Sequence, residues 1–127
     1  MKLNGAFVCA ADLHLRPDKP LCRKETPEEW IETQFTKLGF MLKFARNHNA
    51  PVLLAGDIAH APTGWPAWMF TRLIQLFRTS SVAMAIPGQH DLPYHQLDRL
   101  DRSNLGVLFT SVAVAPTDGT IVAGFPW

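Results

Sequence analysis

Three short apolar runs alternate with two stretches of helical periodicity, and this alternation limits the fold more than any other feature. The runs cover residues 5–11, 52–55 and 82–86, and each has the character of a buried strand. The first helical stretch opens at Thr26-Pro27-Glu28-Glu29, where a capping threonine precedes a first-turn proline. The second covers residues 67–78. Strand, helix, strand, helix, strand predicts an α/β fold with a parallel sheet and right-handed crossovers.

Each predicted helix has apolar residues at steps of three and four, so one face of it is expected to be buried. These residues are Ile31, Phe35, Leu38, Leu42 and Ala45 in the first helix and Phe70, Leu73, Ile74 and Phe77 in the second. After the third strand, residues 97–104 predict one or two helical turns, and residues 107–109 predict a further short strand. Residues 112–114 and 120–123 flank an Asp-Gly turn and predict a hairpin.

Composition is that of an ordinary globular domain. The 127 residues amount to about one domain, and 47% of them are hydrophobic. The formal net charge of +1 excludes a broad basic field, so any contact with DNA or RNA has to be local. Cys9 and Cys22 are expected to be reduced, and no stretch approaches the ~20 apolar residues of a membrane helix. These features predict a cytoplasmic protein with no membrane partner.

Polar side chains follow all three predicted strands. The first strand ends in Asp12-x-His14, the second in Gly56-Asp57 and the third in Gly88-Gln89-His90-Asp91. Because the carboxyl ends of parallel strands meet at one sheet edge, we expect Asp12, His14, Asp57 and Gln89 to converge. Carboxylate, imidazole and amide ligands suit Mn²⁺, Fe²⁺ or Zn²⁺, and an aspartate that bridges two such ions builds a phosphate clamp. Taken singly, each residue could instead cap a helix or fill a turn, but three such junctions together favour a metal site.

These three junctions resemble the first three motifs of the calcineurin-like metallophosphoesterases. The continuation Asp91-Leu92-Pro93-Tyr94-His95 resembles the branch that contains DNA repair exonucleases and their phage relatives. The resemblance spans the chain but covers only the N-terminal half of the family's catalytic domain. It implies that residues 1–127 form a single domain, with a layered metallophosphoesterase-like sheet, helices on the outside and an incomplete βαβαβ unit followed by short strands.

The resemblance also implies roles for individual residues. Asp12 and His14 would hold a first metal ion, Asp57 would bridge two ions, and Gln89 would occupy the position of the second-metal asparagine. His90 matches the catalytic histidine that stabilises the transition state or protonates the leaving oxygen. The resemblance implies two divalent metal ions, with Mn²⁺ as the first choice and Fe²⁺ or Zn²⁺ as alternatives. The substrate would be a phosphodiester such as DNA, and relatives of this branch often pair with an ATPase.

Three departures from the family pattern bear on activity. Gln89 is one methylene longer than asparagine, so the second metal is expected to bind weakly. His60 stands where many relatives have an aspartate that orients the catalytic histidine. No histidine follows His95, although the family's remaining metal ligands are later histidines. The chain is therefore expected to be a fragment or a shortened form, and an uncovered edge at residues 120–124 predicts self-association.

Several neighbouring residues have two interpretations. His60, Asp91 and His95 could assist at the metal or phosphate, or lie in ordinary loops and turns; His48 is expected at the opposite end of the sheet. Arg16 and Lys19, with Arg23 and Lys24, could contact phosphates or form a solvated loop. Trp65 and Trp68 could stack on bases, but packing is the simpler interpretation.

The sequence thus favours a metal-dependent phosphoesterase that hydrolyses phosphodiester bonds. The alternatives are a non-catalytic domain that binds one metal ion or a partner protein, and a purely structural domain retained for assembly.

Overall fold

The computed structural model describes residues 5–79 and 82–111 of the chain. Its regular elements are β1 (Val8–Ala10), α1 (Pro27–Asn47), β2 (Val52–Ala55), α2 (Ala67–Arg78), β3 (Val82–Ile86), three 3₁₀ segments (Gln89–Asp91, Pro93–His95 and Leu97–Arg102) and α3 (Asn104–Ser111). The strands form one parallel sheet in the order β1-β2-β3. This confirms the α/β class and the predicted order of strands and helices.

Helix α1 begins where the capping pattern predicts. The Glu29 N–H donates to Oγ1 of Thr26 at 3.2 Å, and the Thr26 N–H donates to the Glu29 carboxylate at 2.9 Å, which completes a capping box. Phe35, Leu38, Leu42 and Ala45 of α1 are buried as expected, and Ile31 is partly buried. In α2 the buried residues are Met69, Leu73 and Phe77, whereas Phe70 and Ile74 are only partly buried.

The predicted strand at residues 107–109 is wrong, because these residues belong to α3. Ser103 caps this helix by accepting the Gly106 N–H at 3.0 Å, and Leu105 and Leu108 are buried on its inner face. A short apolar run fits a buried helix as well as a strand, so periodicity alone could not separate the two. Strand β1 is also shorter than predicted, since the chain turns into the left-handed region at Asp12. The predicted hairpin at 112–123 and the sheet edge at 120–124 lie outside the described residues.

One apolar core joins the sheet to the helices. Its centre is β2, where Val52 and Leu54 are almost fully buried. The buried members of the core are Leu15, Phe35, Leu38, Leu42, Ala45, Val52, Leu54, Ile58, Ala59, Trp65, Met69, Leu73, Phe77, Leu105 and Leu108. On the surface, Arg72 of α2 donates two hydrogen bonds of 2.6 Å to the Glu32 carboxylate of α1, which ties the two helices together. Within the described ranges, no helix combines the length and the apolarity needed to cross a membrane.

The segments that leave β1 and β2 stay paired beyond the sheet. The N–H groups of Asp12, His14 and Leu15 donate to the carbonyls of Gly56, Asp57 and Ile58 at 3.1, 2.9 and 2.8 Å. A further parallel bridge joins Leu15 to Ala59. The predicted metal ligands of the first two junctions therefore lie on adjacent, hydrogen-bonded strands of chain.

A buried glutamine of α1 holds the first of these segments in place. Gln34 accepts the Arg16 N–H at 3.0 Å and donates to the Arg16 carbonyl at 2.9 Å, and the residue is only 8% exposed. The side chain thereby pairs both backbone groups of one loop residue. The exit of β1 is thus attached directly to the middle of α1.

Replacing Gln34 with leucine is expected to lower the free energy of unfolding by about 1–3 kcal/mol, because both backbone groups of Arg16 lose their partners. Urea denaturation measures the loss. The control is Gln75→Leu, since Gln75 is exposed on α2. Equal stability of the two variants would show that the contacts of Gln34 contribute nothing.

Candidate metal centre

Two carboxylates and one imidazole converge at the carboxyl edge of the sheet. Asp12, His14 and Asp57 each offer a ligand atom, and these atoms lie within 4.8 Å of one another. Nε2 of His14 is 4.0 Å from Oδ1 of Asp12, and the Asp12 side chain is 74% exposed. Two atoms bound to one ion at about 2.1 Å are at most about 4.2 Å apart. Small side-chain movements would bring all three groups to coordination distance.

All three residues have a left-handed backbone, with φ of 54° at Asp12, 45° at His14 and 49° at Asp57. Such conformations cost about 1–3 kcal/mol in a non-glycine residue and persist only when the surroundings impose them. Here the paired exit segments impose them through the hydrogen bonds from Asp12 to Gly56 and from His14 to Asp57. The strain coincides with the three side chains that converge.

The imidazole of His14 has an unsatisfied nitrogen. Its Nδ1 is buried and, among the residues that the structure describes, has no hydrogen-bond partner. An unpaired buried polar atom is costly in a folded protein and often marks a place where an ion or water binds. Together with two carboxylates, this imidazole is a donor set that fits Mn²⁺, Fe²⁺ or Zn²⁺.

His90 lies against this group and is held in a defined orientation. Its ring centroid is 4.9 Å from that of His14, and its backbone N–H donates to Oδ1 of Asp57 at 2.9 Å. Nδ1 of His90 lies 3.1 Å from the His60 carbonyl. Because a carbonyl oxygen only accepts, Nδ1 carries the proton and donates it, which leaves Nε2 as the exchangeable site of the ring.

His60 therefore orients His90 through its backbone carbonyl, at the position where the resemblance implies an aspartate side chain. Its ring stacks on that of His90 with centroids 5.9 Å apart and an angle of 14° between the ring planes. Nη1 of Arg16 donates to Nε2 of His60 at 3.1 Å. Burial, followed by the positive charge of Arg16, lowers the pKa of His60 below its ordinary value. The ring is consequently held in its neutral form with Nε2 occupied.

The predicted phosphate contacts are engaged within their own loop. Nε and Nη2 of Arg16 both donate to the Asp18 carboxylate, and these hydrogen bonds lower the pKa of Asp18. Lys19 donates to the Arg23 carbonyl at 2.7 Å, and Arg23 pairs with Glu25 at 2.7 Å. Arg16 thus contacts the candidate centre through His60, while Lys19 braces the loop that follows.

Asp91 is a connector between the two later junctions. The residue is fully buried, and its carboxylate accepts N–H groups from Ile58 at 3.1 Å, Ala59 at 2.7 Å and Gly88 at 2.8 Å. Burial raises the pKa of Asp91, the three N–H donors oppose that rise, and the charge of Asp57 adds to it. With both oxygens occupied, Asp91 positions the loops that carry Asp57 and His90.

Gln89 and His95 lie at the surface of this turn. Both are exposed, and Nδ1 of His95 donates to the Gln89 carbonyl at 3.1 Å. Within residues 5–79 and 82–111 the Gln89 amide makes no hydrogen bond. The adjacent Tyr94 and His95 have left-handed φ values of 55° and 57°. His48, by contrast, stacks on Phe44 at the far end of α1, with ring centroids 4.2 Å apart.

Shortening Gln89 to asparagine is expected to strengthen binding of a second Mn²⁺ ion. The change withdraws the amide oxygen by about 1.5 Å, whereas coordination distances tolerate only about 0.2 Å. Titration calorimetry with Mn²⁺ measures the gain, and Gln75→Asn on the exposed face of α2 is the control. Identical isotherms for the wild type and Gln89→Asn would contradict the prediction.

The tryptophans near the second junction pack in the protein. Trp65 is 7% exposed, and its Nε1 donates to the Leu15 carbonyl at 3.1 Å, so its ring cannot stack on a base. Trp68 is 45% exposed and lies against Phe35, with ring centroids 6.5 Å apart. Asn104 was not anticipated: it accepts the Trp65 N–H and donates to the Ala61 carbonyl at 3.0 Å. It fastens the loop after β2 to α3.

The structure thus brings most of the predicted residues to one edge of the sheet. Those that converge or support the centre directly are Asp12, His14, Asp57, His60, His90 and Asp91. No protein-family model matches the chain, and no curated protein matches it in sequence. The chemistry proposed below is supported by this geometry and by the motifs at the three junctions.

Proposed function

We propose that this chain is a metal-dependent phosphoesterase of the calcineurin-like type that hydrolyses phosphodiester bonds, with DNA as a candidate substrate. The observation that carries the proposal is the convergence of Asp12, His14 and Asp57 within 4.8 Å, beside an oriented His90. The observed three-stranded sheet would be the first half of a layered metallophosphoesterase-like fold. Nuclease-like activity further requires a divalent ion, for which Mn²⁺ is the first choice.

Asp12, His14 and Asp57 would hold the ion, and Gln89 would contribute to a second site. A divalent ion in such a site polarises a phosphoryl oxygen and acidifies water at neutral pH. The Asp57 carboxylate is kept in place for this role by the His90 N–H at 2.9 Å. The left-handed backbone at all three ligands sets the direction in which each Cα–Cβ bond points before any ion binds.

His90 would exchange a proton with the phosphate or with the leaving oxygen. Because Nδ1–H is held by the His60 carbonyl, exchange takes place at Nε2. The His60 ring stacks beside that of His90, with ring centroids 5.9 Å apart. Asp91 keeps the two loops in register by accepting three backbone N–H groups.

A second candidate is a domain that binds one metal ion without turnover. The observation that favours it is the ligand count: in the described part of the chain, the carboxylate and imidazole group has three members. A Gln89 amide with one methylene too many would leave a second ion weakly held. The experiment below separates the two candidates.

Asp57→Asn is expected to lower hydrolysis of bis(p-nitrophenyl) phosphate in Mn²⁺ by at least about 100-fold, since loss of even an outer ligand costs 10–100-fold. Bound Mn²⁺, measured by equilibrium dialysis, should fall with it. Asp98→Asn is the matched control, because Asp98 is exposed. Mn²⁺ binding without hydrolysis in the wild type would favour the second candidate. Unchanged Mn²⁺ content in Asp57→Asn would contradict the metal centre itself.

A further inference from the structure

A cleft lies beside the candidate metal centre, between the exit of β1 and residues 30–41 of α1. Its volume is about 240 Å³. The lining residues are Asp12, Leu13, Leu15, Trp30, Thr33, Gln34, Lys37, Leu38 and Met41. From Trp30 to Met41 the helical wall extends for about 16 Å, at 1.5 Å per residue. Because Asp12 belongs to both the cleft and the converging group, an occupant of the cleft lies next to the proposed metal ligands.

The walls of the cleft offer hydrogen-bond donors and positive charge. Nε1 of Trp30 is enclosed by protein and has no partner among the described residues, so the donors that face the cleft are Thr33 and Lys37. In the same ranges, Lys37 has no ion pair and the Thr33 hydroxyl has no hydrogen bond. The Gln34 amide is occupied by the backbone of Arg16, and the Asp12 carboxylate is one of the proposed metal ligands. A matching occupant must therefore bring acceptors and a negative charge.

The rest of the cleft is apolar and aromatic. Leu13, Leu15, Leu38 and Met41 line it together with the indole of Trp30. The Arg23 guanidinium carbon lies 4.9 Å from the centroid of the Trp30 ring, which holds the ring by a cation–π contact. The volume is below the ~300 Å³ at which drug-sized pockets begin. It has room for one planar ring system and excludes a base pair.

We infer that this cleft binds the nucleoside attached to the scissile phosphate. A base carbonyl accepts from the Thr33 hydroxyl, the ring lies on the apolar wall beside the indole of Trp30, and Lys37 meets the negative charge of the phosphate. The inference rests on the proposed function and narrows its substrate to nucleotide diesters with an unpaired base. Single-stranded ends and mononucleotide esters satisfy this requirement, whereas the interior of a duplex does not.

Nuclear magnetic resonance on the metal-free protein tests binding without turnover. The indole Nε1–H signal of Trp30, assigned by its loss in Trp30→Phe, is expected to shift saturably when thymidine 5′-monophosphate is added. Inorganic phosphate, the second probe, should leave that signal in place. An equal shift with inorganic phosphate would show a general anion site and overturn the inference. So would a shift that depends on protein concentration alone, since a second copy of the chain would then occupy the cleft.

Kinetics with two esters that share a leaving group provide the second test. The ratio of kcat/KM for thymidine 5′-(p-nitrophenyl phosphate) to that for methyl p-nitrophenyl phosphate is expected to be about 10 or more, given the usual contribution of one bound base. Trp30→Leu and Lys37→Gln should bring this ratio towards one. Lys43→Gln, an exposed lysine of α1 outside the cleft lining, is the matched control.

The two tests separate failure of the inference from failure of the proposed function. Hydrolysis of both esters at a ratio near one, without a Trp30 shift, would overturn the cleft assignment and leave the phosphoesterase in place. A saturable Trp30 shift without hydrolysis of either ester would support the nucleoside site and contradict the enzyme.

Discussion

Asp91→Ala is expected to lower the free energy of unfolding by at least about 3 kcal/mol. The carboxylate of Asp91 accepts the N–H groups of Ile58, Ala59 and Gly88, and the residue is fully buried. Each buried donor left without a partner costs about 1–3 kcal/mol. Since whole domains are stable by only about 5–15 kcal/mol, this variant approaches the limit of folding.

Urea denaturation measures this loss, and Asp98→Ala, at an exposed aspartate, is the control. If Asp91→Ala does not fold, Asp91→Asn provides a milder variant, because its amide retains one acceptor oxygen. Its NH₂ group would then oppose at least one backbone N–H, so a loss of about 1–3 kcal/mol is expected. If the Asp91→Asn variant were as stable as the wild type, the connection between the two loops would not depend on the carboxylate of Asp91.

Gly88→Ala is expected to weaken Mn²⁺ binding by about 10- to 100-fold, because loss of the contacts that position a metal ligand has an effect of this size. A Cβ atom at residue 88 would lie 2.8 Å from Cγ of Asp57, and closer still to its Oδ1 and backbone nitrogen. The φ and ψ of Gly88 are −94° and −175°, which any residue adopts. The effect is therefore steric, and it falls on the carboxylate that would bridge the ions.

Equilibrium dialysis with Mn²⁺ measures this effect, with circular dichroism to verify the fold. Gly39→Ala is the matched control, because a Cβ there would meet only Cδ2 of Leu76 at 3.9 Å within the described structure. Normal Mn²⁺ affinity in Gly88→Ala would mean that Asp57 is not a ligand or that the turn can move away from it.

Much of the fold could be predicted because the hydrophobic periodicity of each segment and the Gly, Pro and polar residues at its ends indicate the same bounds. The bounds of β2, α2 and β3 match the predicted ranges, since Gly, Pro and polar residues end each periodic stretch. The run at 107–109 was misassigned because three apolar residues carry no period of their own. Its helical state depends on the Ser103 cap and on the burial of Leu105, which is a tertiary contact.

Convergence of the three junctions also followed from the sequence, because parallel strands end at one edge. The supporting contacts did not, since each joins a side chain to a distant backbone atom. Gln34 binds the backbone of Arg16, Asp91 binds three N–H groups, and His90 is oriented by the carbonyl of residue 60. Because all residue types except proline have the same backbone N–H and C=O groups, a backbone partner cannot be identified from the sequence.

The left-handed backbone at Asp12, His14 and Asp57 lowers the stability of the fold at these three positions. Glycine would adopt the same φ with little strain but would bring no carboxylate or imidazole. At these three positions, backbone stability and the retention of a candidate metal ligand therefore oppose each other. A laboratory selection that rewards thermal resistance alone would replace these candidate metal ligands first, while most of the buried core would remain unchanged.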